Sequence, residues 1–373
     1  MKVALVHDYL REYGGAERVL KVLSEIYPKA DIYTAFVDKK SKTYKTFEGR
    51  KIYQSKIGSI LNIWRLYSPL RFLIPWVWGT FNLSDYDLVV VSASWYITKG
   101  FKIGKNTKVY CYCHTPPRNL YGYQTSIKWY GITWNKFPLA TMYANVVNHF
   151  LRLYDFKVAQ KPNRKDKIIR AGVDYFIANS KEVASRIQKF YRRNSKVIYP
   201  PVNVSAIIEK TKDIKKKDYY LIVSRLVDSK GLEEAALAAK KLKVKLKIVG
   251  KGLGFTDVGR NLEKNAGENV ELLGFVEDNK LWQLYAESKG FIALAKNEDF
   301  GMTVVEAQAA GTPVIAYKGG GFKESVIDGK TGVFVTGLDE KSIGAAIDKI
   351  NKTKWDPKVL KDNARRFSKE RFI

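Results

Sequence analysis

Glu298-Asp299-Phe300-Gly301-Met302-Thr303-Val304-Val305-Glu306 is the stretch on which the reading of this chain turns. It follows an apolar run of strand length, Gly290-Phe291-Ile292-Ala293-Leu294. It leads into a helical spacing from Thr303 to Ala310, which Gly311 and Pro313 end. Glu298 therefore falls in the loop after a strand, and Glu306 one turn into the next helix. In an open α/β sheet, ligands bind beyond the carboxyl ends of the strands, and a helix N-terminus there offers unpaired N–H groups to an anion. The amides of Gly301, Met302 and Thr303 are candidate phosphate donors. Two carboxylates beside such a site suit a ligand that joins phosphate to hydroxyls, as a nucleotide sugar does. On the residues alone two other readings stay open. Thr303-x-x-Glu306 is also a capping box, and carboxylate pairs also serve glycosidases, where their separation decides.

Working outward, Tyr219 to Val223 reads as a strand, followed by Ser224-Arg225-Leu226 and by Lys230-Gly231 opening a helix from Leu232 to Leu242. Arg225 and Lys230 thus converge on the strand-end crevice, as two cations suited to gripping a diphosphate as it leaves. Strands at Leu246–Val249, Val270–Leu273 and Val314–Ala316, and a short one at Val333–Val335, complete a parallel sheet, with Gly319-Gly320-Gly321 as a flexible loop. Gly250-x-Gly252-x-Gly254 lacks the dinucleotide-binding spacing. Pro200-Pro201-Val202-Asn203 is a rigid break between domains. Before it, Lys2–Val6 is a strand joined through Gly14-Gly15 to a helix from Ala16 to Ile26. Asp87–Ser92 and Lys108–Cys113 are further buried strands, the latter ending in His114-Thr115-Pro116-Pro117-Arg118. A histidine held there by a stiff turn stands where active-site groups stand.

The 373 residues suit two domains, and only Cys111 and Cys113 carry thiols, which fits a reduced, cytoplasmic setting. The N-terminus opens directly on a strand without a signal-peptide core, and no apolar run is long enough to span a bilayer. The net charge of +28 is uneven: residues 1–202 hold 34 Lys/Arg against 13 Asp/Glu, the remainder 31 against 24. Such a surface seeks polyanions, either an anionic membrane or nucleic acid. Between Lys56 and Phe81, Trp64, Trp76 and Trp78 are interleaved with Lys56, Arg65 and Arg71, a composition suited to a membrane interface as well as to core packing. No zinc-finger, helix-turn-helix or RNA-recognition pattern supports a nucleic-acid-binding protein.

The motifs in order resemble the retaining family 4 glycosyltransferases of the GT-B fold. They are Gly14-Gly15-Ala16-Glu17, Cys113-His114-Thr115-Pro116-Pro117-Arg118, Ala178-Asn179-Ser180, Ser224-Arg225-Leu226 with Lys230-Gly231, Gly274-Phe275-Val276, and the two glutamates eight residues apart at Glu298 and Glu306. The resemblance implies two Rossmann-like domains facing a central cleft: an acceptor-binding domain over 1–202, a nucleotide-sugar domain over 203–355, and a C-terminal helix over 356–373 returning toward the first. It implies catalytic roles for His114 and Glu298. Donor contacts would come from Gly14, Gly15, Arg225, Lys230, Gly274, Phe275, Val276, Phe300, Gly301, Met302, Thr303 and Glu306, with Arg118 on the acceptor side. No cofactor and no metal is implied. The His-Thr-Pro-Pro-Arg segment is most similar to mannosyltransferases of O-antigen and capsule assembly. The expected donor is GDP-mannose, with UDP-sugars as the alternative. The expected acceptor is a lipid-linked glycan, handled by a peripheral enzyme on the inner face of the cell membrane. Family members usually continue past the Phe367–Phe372 segment, so the bridging helix is expected to be shortened or lost.

Overall fold

The computed structural model describes residues 1–63, 66–123, 138–166, 169–252, 258–265 and 267–373. Trp64, Arg65 and Gly254 lie outside the described residues. The chain divides into two compact units, and the division falls at Pro200-Pro201.

In the first unit, β1 (Val3–Leu10), β2 (Asp31–Val37), β3 (Ile52–Gln54), β5 (Leu88–Ala93), β7 (Lys108–Cys113), β8 (Tyr175–Ala178) and β9 (Ser195–Val197) form one sheet. Its order is β3-β2-β1-β5-β7-β8-β9, and every pairing is parallel. The dipeptides β4 (Asn82–Leu83) and β6 (Lys102–Ile103) pair separately. Parallel strands covered on both faces are apolar throughout, as Val89, Val90 and Val91 are, all buried. The region from Lys56 to Phe81 divides between core and surface. Leu61, Ile74, Val77, Trp78 and Phe81 enter the core, while Ile60, Ile63, Phe72 and Trp76 are exposed.

In the second unit, β10 (Tyr220–Val223), β11 (Leu246–Val249), β12 (Val270–Gly274), β13 (Gly290–Ala293), β14 (Val314–Tyr317) and β15 (Gly332–Val335) are ordered β12-β11-β10-β13-β14-β15, again all parallel. Chain order reverses between β1 and β5 in one sheet and between β10 and β13 in the other. The strand-following loops diverge at such a switch point and leave a crevice at the carboxyl edge.

Residues 356–373, expected to form one helix, form two, Pro357–Arg365 and Lys369–Phe372. The first packs on the helices Met302–Ala309 and Val204–Lys210 of the second unit. Leu360 and Ala364 are fully buried there, and Asn363 donates to Gln308 Oε1 (2.6 Å) and to the Ser325 carbonyl (2.8 Å). An amide side chain satisfied twice in a buried seam anchors this helix firmly within the second unit. Among the described residues no helix is long and apolar enough to cross a membrane.

Candidate active site

The carboxyl ends of β10 and β13 bring Lys230 and Glu298 together. Lys230 ends a short turn after β10, and its Nζ lies 2.6 Å from Glu298 Oε2 in the loop after β13. Both side chains are about one-fifth exposed, so the pair faces solvent and is not sealed in the core. Arg225, in the loop between β10 and that turn, is exposed. The helix after Glu298 starts at Met302, one residue ahead of the expected Thr303, with Gly301 at its N-cap in the left-handed region (φ 89°). A Cβ on Gly301 would fall 2.5 Å from the Phe322 ring, so both the turn and its packing require glycine.

Because Gly301 and not Thr303 begins this helix, the capping-box reading of Thr303-x-x-Glu306 does not hold. Glu306 is buried one turn further on and accepts a hydrogen bond from Tyr285 Oη at 3.0 Å. Phe300 turns its ring inward against Phe367 (5.2 Å between centroids), which fixes the backbone from which Gly301, Met302 and Thr303 extend. Gly319-Gly320-Gly321, expected as a flexible loop, is a packing contact: the Gly321 amide donates to the Glu298 carbonyl (2.9 Å), and a Cβ on Gly320 would lie 2.2 Å from that same oxygen. Gly274 ends β12 and accepts from the Gly250 amide (2.8 Å). Phe275 beyond it is half exposed beneath Lys251 Nζ, and Val276 is half-buried.

At the corresponding edge of the first unit, His114 directly follows β7 and is buried. It belongs to a hydrogen-bonded line of side chains drawn from the helix Gly15–Ile26, from β1, from β5 and from the residue after β7. The Gly14 amide donates to Glu17 Oε2 (2.8 Å), Glu17 Oε1 meets His7 Nε2 (3.2 Å), His7 Nδ1 meets Ser92 Oγ (3.0 Å), and Ser92 Oγ meets His114 Nε2 (2.9 Å). All four side chains are buried, so their protonation is set by one another. Burial opposes charge on His7, but the Glu17 bond and charge, with Asp8 and the Ser92 carbonyl, outweigh it and raise its pKa above 6.5. Burial, then the neighbouring His7 charge, against the opposing pull of Asp8, lowers His114 to about 3. When His7 is protonated it donates from both ring nitrogens; the Ser92 hydroxyl hydrogen then turns to His114 Nε2, and the proton of a neutral His114 lies on Nδ1.

Gly14 thus spends its amide on its own helix, and Gly15 begins that helix. Asp8, at the end of β1, accepts from the amides of Ser94, Trp95 and Tyr96 (2.7, 2.9 and 3.1 Å) and from the Ser94 and Thr98 hydroxyls, and so organises the loop after β5. Beneath it Lys99 Nζ pairs with Asp155 Oδ1 (3.0 Å) in the core, with Tyr121 and Tyr191 hydroxyls both donating to Asp155 Oδ2 at 2.8 Å. Arg118 is half-buried in the turn after His114, its carbonyl accepting from the Tyr121 and Tyr123 amides. Sequence reasoning missed His7, Ser92 and the Lys99–Asp155 pair, whose residues are far apart in the chain. Glu17 was visible as the third residue after Gly14, the spacing of a helix-start carboxylate. Cys111 and Cys113 are free and buried, and burial, partly offset by Lys99, pushes the Cys111 thiol up to about 12.

Residues 203–367 match the family model described as glycosyl transferases group 1. Over 197 residues the chain is 27% identical to an uncharacterized glycosyltransferase of Methanocaldococcus jannaschii, covering 53% of this chain and 55% of that protein. Over 80 residues it is 35% identical to a lipopolysaccharide core biosynthesis mannosyltransferase of Rhizobium leguminosarum bv. viciae, covering 21% and 22% of the two chains. The chain spans about half the length of the curated relatives it matches first. Among solved structures, Anabaena HepE in complex with UDP and glucose superposes with a TM-score of 0.63 at 20% identity, over 100% of this chain and 95% of that one. At that identity the likeness speaks for the fold. Residues 203–367 carry the match to the group 1 glycosyl transferases, and the whole chain has the GT-B fold of two α/β units.

Proposed function

We propose that the chain is a retaining hexosyltransferase that moves a sugar, by preference mannose from GDP-mannose, onto a lipid-linked or polysaccharide glycan in cell-surface polysaccharide assembly. The observation that carries this reading is the Lys230–Glu298 pair beside the Gly301 helix start and the buried Glu306. Arg225, Lys230 and the first-turn amides hold the diphosphate, Glu306 binds ribose hydroxyls, and Glu298 binds the transferred sugar. The loop after β12, with Gly274, Phe275 and Val276, borders the nucleoside. Breaking the bond between the anomeric carbon and phosphate oxygen sends the electron pair to the diphosphate, whose new charge the two cations and the helix N-terminus stabilise. The acceptor hydroxyl oxygen attacks that carbon from the same face, and its proton passes to the departing phosphate oxygen, so no metal is called for. In the first unit, His114 stays neutral and offers Nδ1–H to a hydroxyl, while Gly15 approaches a phosphate and Arg118 serves the acceptor.

UDP-sugars form a second reading, favoured by the likeness to a structure holding UDP and glucose. A thermal-shift screen of the full chain against GDP-mannose, UDP-glucose, UDP-galactose, UDP-N-acetylglucosamine, GDP and UDP separates the two. A ligand at about 100 times its Kd adds about 2.7 kcal/mol to the folded state. Stabilisation by guanine nucleotides alone supports mannose transfer, and stabilisation by uracil nucleotides alone replaces it with the second reading. No shift with any of the six, together with no transfer, removes the enzyme reading.

A further inference from the structure

The helix Pro138–Val158 is built inside out for a surface helix. Val147, Leu151, Asp155 and Val158 face the core, yet a second stripe at helical spacing, Leu139, Met142, Val146, Phe150 and Leu153, is exposed, each between 49% and 80%. Apolar side chains at such spacing share one face, and on most soluble helices that face is the covered one. The stripe is joined to a second exposed apolar patch. Tyr143 Oη donates to the Pro69 carbonyl (2.5 Å) and Arg71 Nη2 to the Ala144 carbonyl (3.4 Å), which holds the helix against the turn bearing Phe72, itself exposed, with Trp76 58% exposed in the next helix.

Charge identifies what covers this face. No aspartate or glutamate occurs from Gly49 to Ser84 or from Leu88 to Tyr154. The one acidic residue of the long helix, Asp155, is buried against Lys99, so the helix shows solvent only cations, Arg152 and Lys157. Lys157 lies five turns on from Leu139, in line with the stripe at its far end, where a long side chain reaches a headgroup. An apolar stripe flanked by cations and free of carboxylates complements an anionic bilayer in both its layers. A nucleic acid would meet the cations but leave the aliphatic side chains in water, and a second copy of a chain of +28 would bring like charge to like.

We propose that this face, the outer stripe of Pro138–Val158 with Phe72 and Trp76 beside it, seats the first unit in the headgroup layer of an anionic lipid bilayer with the helix lying in the membrane plane. The proposal stands on the surface alone and holds whichever sugar the chain transfers.

Cosedimentation of the full chain tests it, using vesicles of phosphatidylcholine alone and vesicles with about one-third phosphatidylglycerol, at low and high salt. Binding at least about tenfold stronger to the anionic vesicles, weakened by salt, is expected. Val146→Glu with Phe150→Glu should lower it at least about tenfold, and Leu237→Glu, an exposed apolar site in the second unit, should leave it unchanged. As both native cysteines are buried, a nitroxide on Phe150→Cys reads insertion independently of any folding defect in the glutamate variants. It should become accessible to oxygen and shielded from polar relaxants on the anionic vesicles, unlike one on Leu237→Cys. Unchanged binding of the double variant, or a label at position 150 that stays in water, overturns the proposal. So does a dimer in gel filtration that the double variant converts to monomer while vesicle binding persists.

Discussion

The two strand-end clusters solve opposite problems with similar residue types. In the first unit Glu17, His7, Ser92 and His114 are all buried, each held by the next, so no member can change charge without disturbing the line. In the second, Lys230 and Glu298 meet at 2.6 Å within reach of water, where either partner can be exchanged for another ion at small cost. One cluster is a fixed template of hydrogen-bond polarity; the other is an ion pair ready for exchange. A buried ionic group acts through what it prevents from moving, and a half-exposed one through what it can release.

The sharpest way to break this contrast is to remove charge from each side. Asp155→Leu strands buried Lys99 and leaves the Tyr121 and Tyr191 hydroxyls without their acceptor. It is expected to cost about 3–5 kcal/mol, a fall of about 10 °C in the melting temperature by calorimetry. A wild-type melt would show that the first unit's buried ions are not what holds it. Glu298→Gln should leave the melting temperature within a few degrees, because a pair this exposed contributes about 1 kcal/mol or less. Sugar transfer should nonetheless fall by about 10²–10³. With its competitor gone from Lys230, the free nucleoside diphosphate should bind at least as tightly by calorimetric titration, and weaker binding would end the exchange picture.

Gly301→Ala, which places a methyl 2.5 Å from Phe322 at a positive φ, should cost about 1–3 kcal/mol and weaken nucleotide-sugar binding along with stability. The smallest effect concerns pH. His114 titrates near 6.5 unfolded and about 3 folded, so its contribution is complete above pH 6.5 and declines as the pH falls toward 3. The slope is at most about 1.4 kcal/mol per pH unit. His7, with its folded pKa raised, acts in the other window: its contribution is present below pH 6.5 and is lost as the pH rises through the folded value. Melting curves at pH 6, 5 and 4 should therefore be flatter for His114→Gln than for the wild type, and parallel curves would mean that His114 is not held neutral.

Much of the second unit was legible in advance. Leu246–Val249 has the expected bounds, and β10, β12, β13, β14 and β15 fall within one or two residues of theirs, because buried parallel strands are short apolar runs between glycine- and lysine-rich turns. β2 and β3 escaped notice, as did the helix Pro138–Val158, whose apolar face is turned outward against the usual pattern. The N-terminus of the Met302–Ala309 helix was misjudged by one residue, and that residue decides whether Glu306 caps its own helix or faces Tyr285.

By itself the sequence determined what depends on neighbours along the chain: two α/β halves, the break at Pro200-Pro201, and the placing of His114, Arg225, Lys230 and Glu298 in loops that follow strands. Periodicity and turn chemistry are local, so they survive in one dimension. Tertiary structure alone decided which of these groups meet. The ion pair spans 68 residues, the His7–Ser92 bond 85 and the Lys99–Asp155 pair 56. Which strands lie side by side at the switch point fixes all three, and strand order is a property of how the apolar faces pack, one that no single stretch of residues encodes.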